Sequence, residues 1–208
     1  MLKKICFYFL NFIICSVFGC IIETIWCILK NKRYESRKGL LYGPFIPIYG
    51  IAGMVLAILI TEFNINNLLY VFGIGVIVST IIEFLSSYLQ EKIFHSKSWD
   101  YSNFPCNLNG RVNLIYSLMF GIVALLWYVF CYDLSIMIFN KIEFRNIEIL
   151  CLILFVFIMY DMVLSFIVVY RAKMRRSAVI RNNKFWKYID KKYPDERILK
   201  AYSNMEFM

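Results

Sequence analysis

The chain reads as an all-α polytopic transmembrane helical bundle of about five spans, and three observations predict it. Of 208 residues, 61% are hydrophobic against 18% charged, with a mean hydropathy of +0.63; a soluble domain holds about 45–50% apolar residues. One core in a chain this size could not hide that much apolar surface from water. Five apolar runs each approach the ~20 residues needed to cross hydrocarbon. Small and acidic residues inside those runs recur at helical spacing. Nine glycines and four prolines exclude a collagen-like chain. The length left after five spans excludes a large extramembrane catalytic domain.

The runs cover residues 5–29, 45–60, 68–89, 114–132 and 147–170. The first follows Lys3 and Lys4, and Val17 to Cys20 resembles a lipoprotein cleavage box. The run continues nine residues past Cys20, so it reads as a span rather than a leader. The second is the shortest and begins at Pro44 and Pro47, where a missing amide donor costs little because first-turn donors are unpaired. Polar loops follow at 30–44, 61–67, 90–113 and 133–146, giving a transmembrane domain over 1–171 and a tail over 172–208. The N-terminus with loops two and four carries four Lys and Arg; loops one and three with the stretch from Arg171 onward carry nineteen. The positive-inside rule puts the heavy side in the cytoplasm of a bacterial cell membrane, with the N-terminus outside.

The spans contain an internal repeat. Cys15, Gly19, Glu23 and Cys27 are matched sixty residues on by Gly75, Ser79, Glu83 and Ser87, and Ile-Ile precedes each glutamate. A spacing of four puts each set on one helix face, where small residues let helices approach closely in lipid. Glu23 and Glu83 would lie roughly 10 Å from the cytoplasmic helix ends, and Asp161 of the fifth span roughly 15 Å from Arg171. A charge at mid-span costs about 2.5–3.5 kcal/mol even on the lenient insertion scale. Two readings are open. The acids pair with Arg111, Lys30 or backbone and fix packing, or they line a cavity for a cation, proton or basic ligand.

Gly39 to Gly50, Gly-Leu-Leu-Tyr-Gly-Pro-Phe-Ile-Pro-Ile-Tyr-Gly, is rich in turn formers where a span begins. Irregular backbone at that depth must be buried in protein or line a wet cavity, which makes Tyr49 a candidate lining residue. The third loop holds Trp99-Asp100-Tyr101-Ser102 and then Asn109-Gly110-Arg111. Trp99 and Tyr101 suit headgroup depth, and Arg111 is the best-placed partner for an acid. With Ile22-Glu23 and Glu83, these motifs in this order resemble the bacterial ABC-transporter type IV membrane family, also called CmpB-like, over roughly residues 5–130. The resemblance implies a small polytopic membrane protein with a permease role, and no ligand residues carry over from it. The sequence shows no GxxxxGK[ST] phosphate loop, so an ATPase partner would be a separate subunit.

From Arg171 to Met208 the chain holds eleven Lys and Arg against four acids, with Val179, Trp186 and Tyr193 seven apart. It reads as a basic amphipathic helix up to Pro194, lying on anionic membrane lipid rather than nucleic acid. The seven cysteines show no CxxC or Cys/His cluster and read as small packing residues, with no metal or cofactor expected. A lone histidine, His95, offers no triad partner. The reading is a non-enzymatic transport component for a small polar or cationic solute, acting as a homo-oligomer or beside an ATPase. Its candidate polar residues are Glu23, Glu83, Asp161, Arg111, Tyr49, Trp99 and Asp100. The alternatives are a membrane scaffold or regulatory partner, and a lipid-modifying enzyme with Glu23, Glu83 or Asp100 as acid/base.

Overall fold

The computed structural model describes residues 1–177 and 183–208. Its long helices are α1 (Leu2–Asn31), α2 (Pro47–Phe63), α3 (Leu68–Phe94), α4 (Leu114–Leu126), α5 (Asp133–Lys141) and α6 (Phe144–Arg176). A single π-helical stretch, Trp127–Tyr132, joins α4 and α5 into one rod from Leu114 to Lys141. The tail forms α7 (Lys184–Lys192) and α8 (Asp195–Ala201). Two-residue strands β1 (Ser96–Lys97), β2 (Asn107–Leu108), β3 (Val112–Asn113) and β4 (Glu206–Phe207) complete the chain.

Local sequence sets the helix ends. Pro47 opens α2, and the Asn67 and Asn113 side chains accept the Leu69 and Ile115 amides at 2.8 and 2.9 Å to start α3 and α4. The helices α1, α2 and α3 end at Lys32, Asn64 and His95, each left-handed with its N–H returned to a carbonyl four residues back. Two expected boundaries differ. The expected loop at 133–146 is mostly helix, because Asp133 lowers the hydropathy without breaking the rod. The fifth span runs on to Arg176 instead of ending at residue 170; the expected tail helix up to Pro194 is present as α7, and α8 follows past Pro194. Val179 of the heptad lies outside the described residues.

Among the described residues α1, α3, the α4–α5 rod and α6 are long and apolar enough to cross a membrane, and α2, at 17 residues, is a shorter apolar helix. Their outward faces are oily: Ile149, Leu152, Ile153 and Val156 of α6 are each about half exposed or more. Such a belt suits hydrocarbon and not water. Small residues set the seams. A Cβ on Gly19 would strike the Tyr49 ring, one on Gly50 would strike Ser16 Oγ, and one on Gly53 would strike Cys15, which fastens α1 to α2. Gly75 meets Ala124, and Gly121 meets Val76 and Phe72, in the α3–α4 seam. One core, built on Phe7, Leu56, Ala57, Val71, Val78, Ala124, Trp127 and Tyr132, joins both seams.

The three basic segments gather at one end. β4 pairs antiparallel with β1, Ser203 Oγ donates to the Ser36 carbonyl at 2.7 Å, and the Met208 amide donates to the His95 carbonyl at 2.8 Å. The tail therefore crosses loops one and three. At the opposite end Lys4, one of the few cations there, is paired with Glu62 at 2.7 Å. The apolar face of the tail does not lie free for lipid. Ile189, Tyr193, Ile198, Tyr202 and Met205 are buried against Leu41, Val168, Val169 and Ala172.

Candidate functional site

Two glutamates reach the same region from parallel helices. Glu23 on α1 accepts a hydrogen bond from the Tyr49 hydroxyl at 2.7 Å, and Glu83 on α3 accepts one from the Tyr101 hydroxyl at 3.0 Å. The two tyrosines pack on neighbouring turns of α4, at Phe120 and Tyr116, which brings both glutamates to the same side of that helix. Glu83 is only 6% exposed, and its Oε2 is buried with no hydrogen-bond partner among the described residues. The Tyr101 ring stacks on Tyr116 at 4.7 Å, and Tyr49 meets Phe120 edge-on at 5.9 Å. Burial and the adjacent Glu83 carboxylate push the Tyr101 hydroxyl up, so it stays a neutral donor.

The packing explains how these groups converge. Gly19 stands one turn before Glu23, and its missing side chain lets the Tyr49 ring lie against α1. Tyr49 is in the first turn of α2, whose start is stitched to α1: the Ile46 amide donates to the Ser16 carbonyl at 3.1 Å, and Ser16 Oγ donates to the Ile46 carbonyl. Tyr101 arrives from loop three, where the Tyr101 amide donates to the Gly110 carbonyl at 2.8 Å. Gly110 has φ +68, and a Cβ there would also strike Ser102 and Asp100.

The other expected residues sit elsewhere. Asp161 is fully buried and holds loop one: it accepts from the amides of Tyr42 at 3.1 Å and Gly43 at 2.7 Å, while Ser165 Oγ, which donates to it at 3.4 Å, accepts the Leu41 amide. Arg111 does not partner an intramembrane acid. It pairs with Glu91, two turns beyond Glu83, and lies over the Tyr88 ring at 5.7 Å. The β2–β3 turn sets Arg111 against the Phe84, Tyr88 and Glu91 face of α3, at 6.0 Å from the Phe84 ring, and not against the face that carries Glu83. Trp99 Nε1 donates to the Arg111 carbonyl at 2.9 Å and so braces this loop. Asp100 accepts from the Ser102 hydroxyl and amide and from Lys97, a local turn that holds its carboxyl down to about 2.

Tyr101 and Tyr116 are the site residues that a search for ionisable groups in spans passes over, because a tyrosine at headgroup depth is ordinary. A signal exists: Ile48-Tyr49 at the head of α2 recurs as Ile115-Tyr116 at the head of α4, with Ala57 and Ala124 at the same offset.

Apolar helices crossing a bilayer around buried carboxylates define a polytopic α-helical membrane protein. Within that class the chain belongs to the family described as Putative ABC-transporter type IV, whose family model matches residues 10–166. No curated protein and no solved structure is detectably similar to it.

Proposed function

We propose that this protein is a permease-like transport component whose Glu23–Tyr49–Glu83–Tyr101 cluster receives a small cationic solute or a proton. The reading is carried by Glu83 Oε2, a carboxylate oxygen buried without a partner among the described residues, in the region that Glu23 also reaches. Two carboxylates in a low-dielectric seam repel, and a shared proton or bound cation relieves that repulsion. The tyrosine hydroxyls orient one oxygen of each acid and leave the others for a ligand. Asp161 and Arg111, which sequence reasoning placed in this centre, serve it indirectly by holding loops one and three.

The charge count of nineteen against four supports a cytoplasmic basic end and an N-terminus outside. The Glu23 and Glu83 tracks belong to two related hairpins, α1–α2 and α3–α4, which would flank the path. Energy would come from a separate ATPase seated on the basic end or from an ion gradient. The family name and the mutual seating of loop one, loop three and tail support a coupling surface there.

The test is thermal unfolding of the full-length protein in mild detergent with Na+, K+, Mg2+ and putrescine titrated separately. A saturating rise in Tm with one of them is expected, reaching about 2.7 kcal/mol of stabilisation at a hundred times Kd. Glu83→Gln should fold and lose that rise. No rise with any probe in the wild type, together with unchanged unfolding of Glu23→Gln/Glu83→Gln across pH 5 to 9, sinks the reading.

A further inference from the structure

An open cleft of about 710 Å³ lies between loop one and α8 at the basic end, with no residue of the glutamate cluster in its lining. Its walls carry four cations, Arg37, Lys38, Arg197 and Lys200, against a single acid, Glu35. Glu35 is already engaged: Arg33 binds one of its oxygens at 2.6 Å and Arg37 the other at 3.0 Å. Among the described residues Lys38, Arg197 and Lys200 have no carboxylate partner, although Lys38 is half-buried. Arg37 is mostly buried, with Nε lacking any hydrogen-bond partner. Lys38 is thus a partly buried cation without counter-charge, which is costly, and the exposed Arg197 and Lys200 converge on the same opening and give it the positive field of an anion site.

The position of the cleft narrows the anion. Cys20 and Thr24 of α1 form one wall, and the adjoining α1 residues Ile21, Ile25 and Ile28 are exposed apolar side chains in the lipid-facing belt. The opening thus joins a cationic rim to a surface suited to acyl chains, as headgroup depth requires. The rim is preformed: Ser203 ties the tail to Ser36, and Arg197 lies over Tyr193 at 4.9 Å while donating to the Lys192 carbonyl. A guanidinium with free donors beside two ammonium groups matches phosphate chemistry.

We propose that this cleft binds a phosphate-bearing anion, the headgroup of an acidic lipid of the leaflet that the basic end faces. An occupant would bridge loop one and the tail, adding a non-covalent clasp between them. The site stands independently of the transport reading, since it shares no residue with the glutamate cluster.

The test uses the full-length protein in an uncharged detergent at low salt, titrated with dioctanoyl phosphatidylglycerol and followed by Tm. A saturable rise is expected, absent with dioctanoyl phosphatidylcholine. Lys200→Gln, on the exposed face of α8, and Lys38→Gln should each weaken apparent affinity about fivefold. Lys187→Gln/Lys191→Gln, which removes two exposed cations from α7, should stay within twofold of wild type, as should Glu83→Gln. Equal weakening by the α7 variant would show generic surface attraction and overturn the site. An equal rise with the phosphatidylcholine would also overturn it. A saturable rise with inorganic phosphate alone that prevents any further effect of the lipid would overturn the lipid source in favour of a soluble phosphate.

Discussion

Asp161 shows how an intramembrane acid can be structural rather than exposed chemistry. Its carboxylate takes two backbone amides of loop one and a serine hydroxyl, and no described residue is better buried. Asp161→Asn keeps the size but turns an amide donor toward donors, so it should cost about 2 kcal/mol, read as a lower Tm and poorer folded yield in detergent. Glu83 is its opposite, with one oxygen held by Tyr101 and the other unheld. Tyr101→Phe should leave the fold within about 1 kcal/mol of wild type while altering any cation-dependent rise in Tm, because it removes only the hydroxyl. Identical titrations for Tyr101→Phe and wild type would remove Tyr101 from the site. Both acids were visible in the sequence as charges inside apolar runs. Their different fates were not, since partners for Asp161 come from a loop nearly 120 residues away.

The α1–α2 seam depends on glycine at the helix scale. Gly19→Ala would push a methyl into the Tyr49 ring, and overpacking of this kind costs about 1–3 kcal/mol. The same displacement would part Tyr49 from Glu23, so the variant should show both lower Tm and the loss of the cation response. The small-residue spacing announced such a seam, but only packing reveals that the partner of Gly19 is an aromatic ring. The tail illustrates a second element whose pattern was legible and whose docking was not. Its alternation of basic and apolar residues is that of a surface helix, yet its apolar face closes a core with Leu41 and Val168. Arg171 grips both oxygens of Asp190, at 2.9 and 2.7 Å, and Arg175 adds a third contact at 2.6 Å. The Arg171 guanidinium beside Asp190, with Arg175, holds the Asp190 carboxyl below its usual value. A carboxyl lowered on folding contributes stability that is complete above the ordinary aspartate value, about 4, and is lost as pH falls through the lower folded value. Tail docking should therefore be unchanged from pH 8 to 5 and weaken below about pH 4, seen as faster hydrogen exchange of α7 and α8 amides. Asp190→Asn should mimic that state at neutral pH.

At the scale of the whole molecule, the gathering of loop one, loop three and the tail at one end yields a test of orientation. Cys106 is exposed in loop three, at that end. A membrane-impermeant maleimide should label Cys106 in inside-out vesicles and leave it unlabelled in intact cells, with Cys106→Ser as the control. Labelling in intact cells would invert the topology.

Composition and periodicity alone determined that this is a helical membrane protein, where its apolar runs lie, which positions carry intramembrane acids and which end is basic. These follow from transfer free energies, which are properties of each segment taken singly. Only the tertiary structure decided that Glu23 and Glu83 each take a tyrosine hydroxyl, that Arg111 serves Glu91, that Asp161 holds a loop, and that the tail folds back onto α6. Those outcomes depend on which helix faces meet and at what depth. Hydropathy is indifferent to that choice, because lipid and a neighbouring apolar helix offer much the same environment to a leucine.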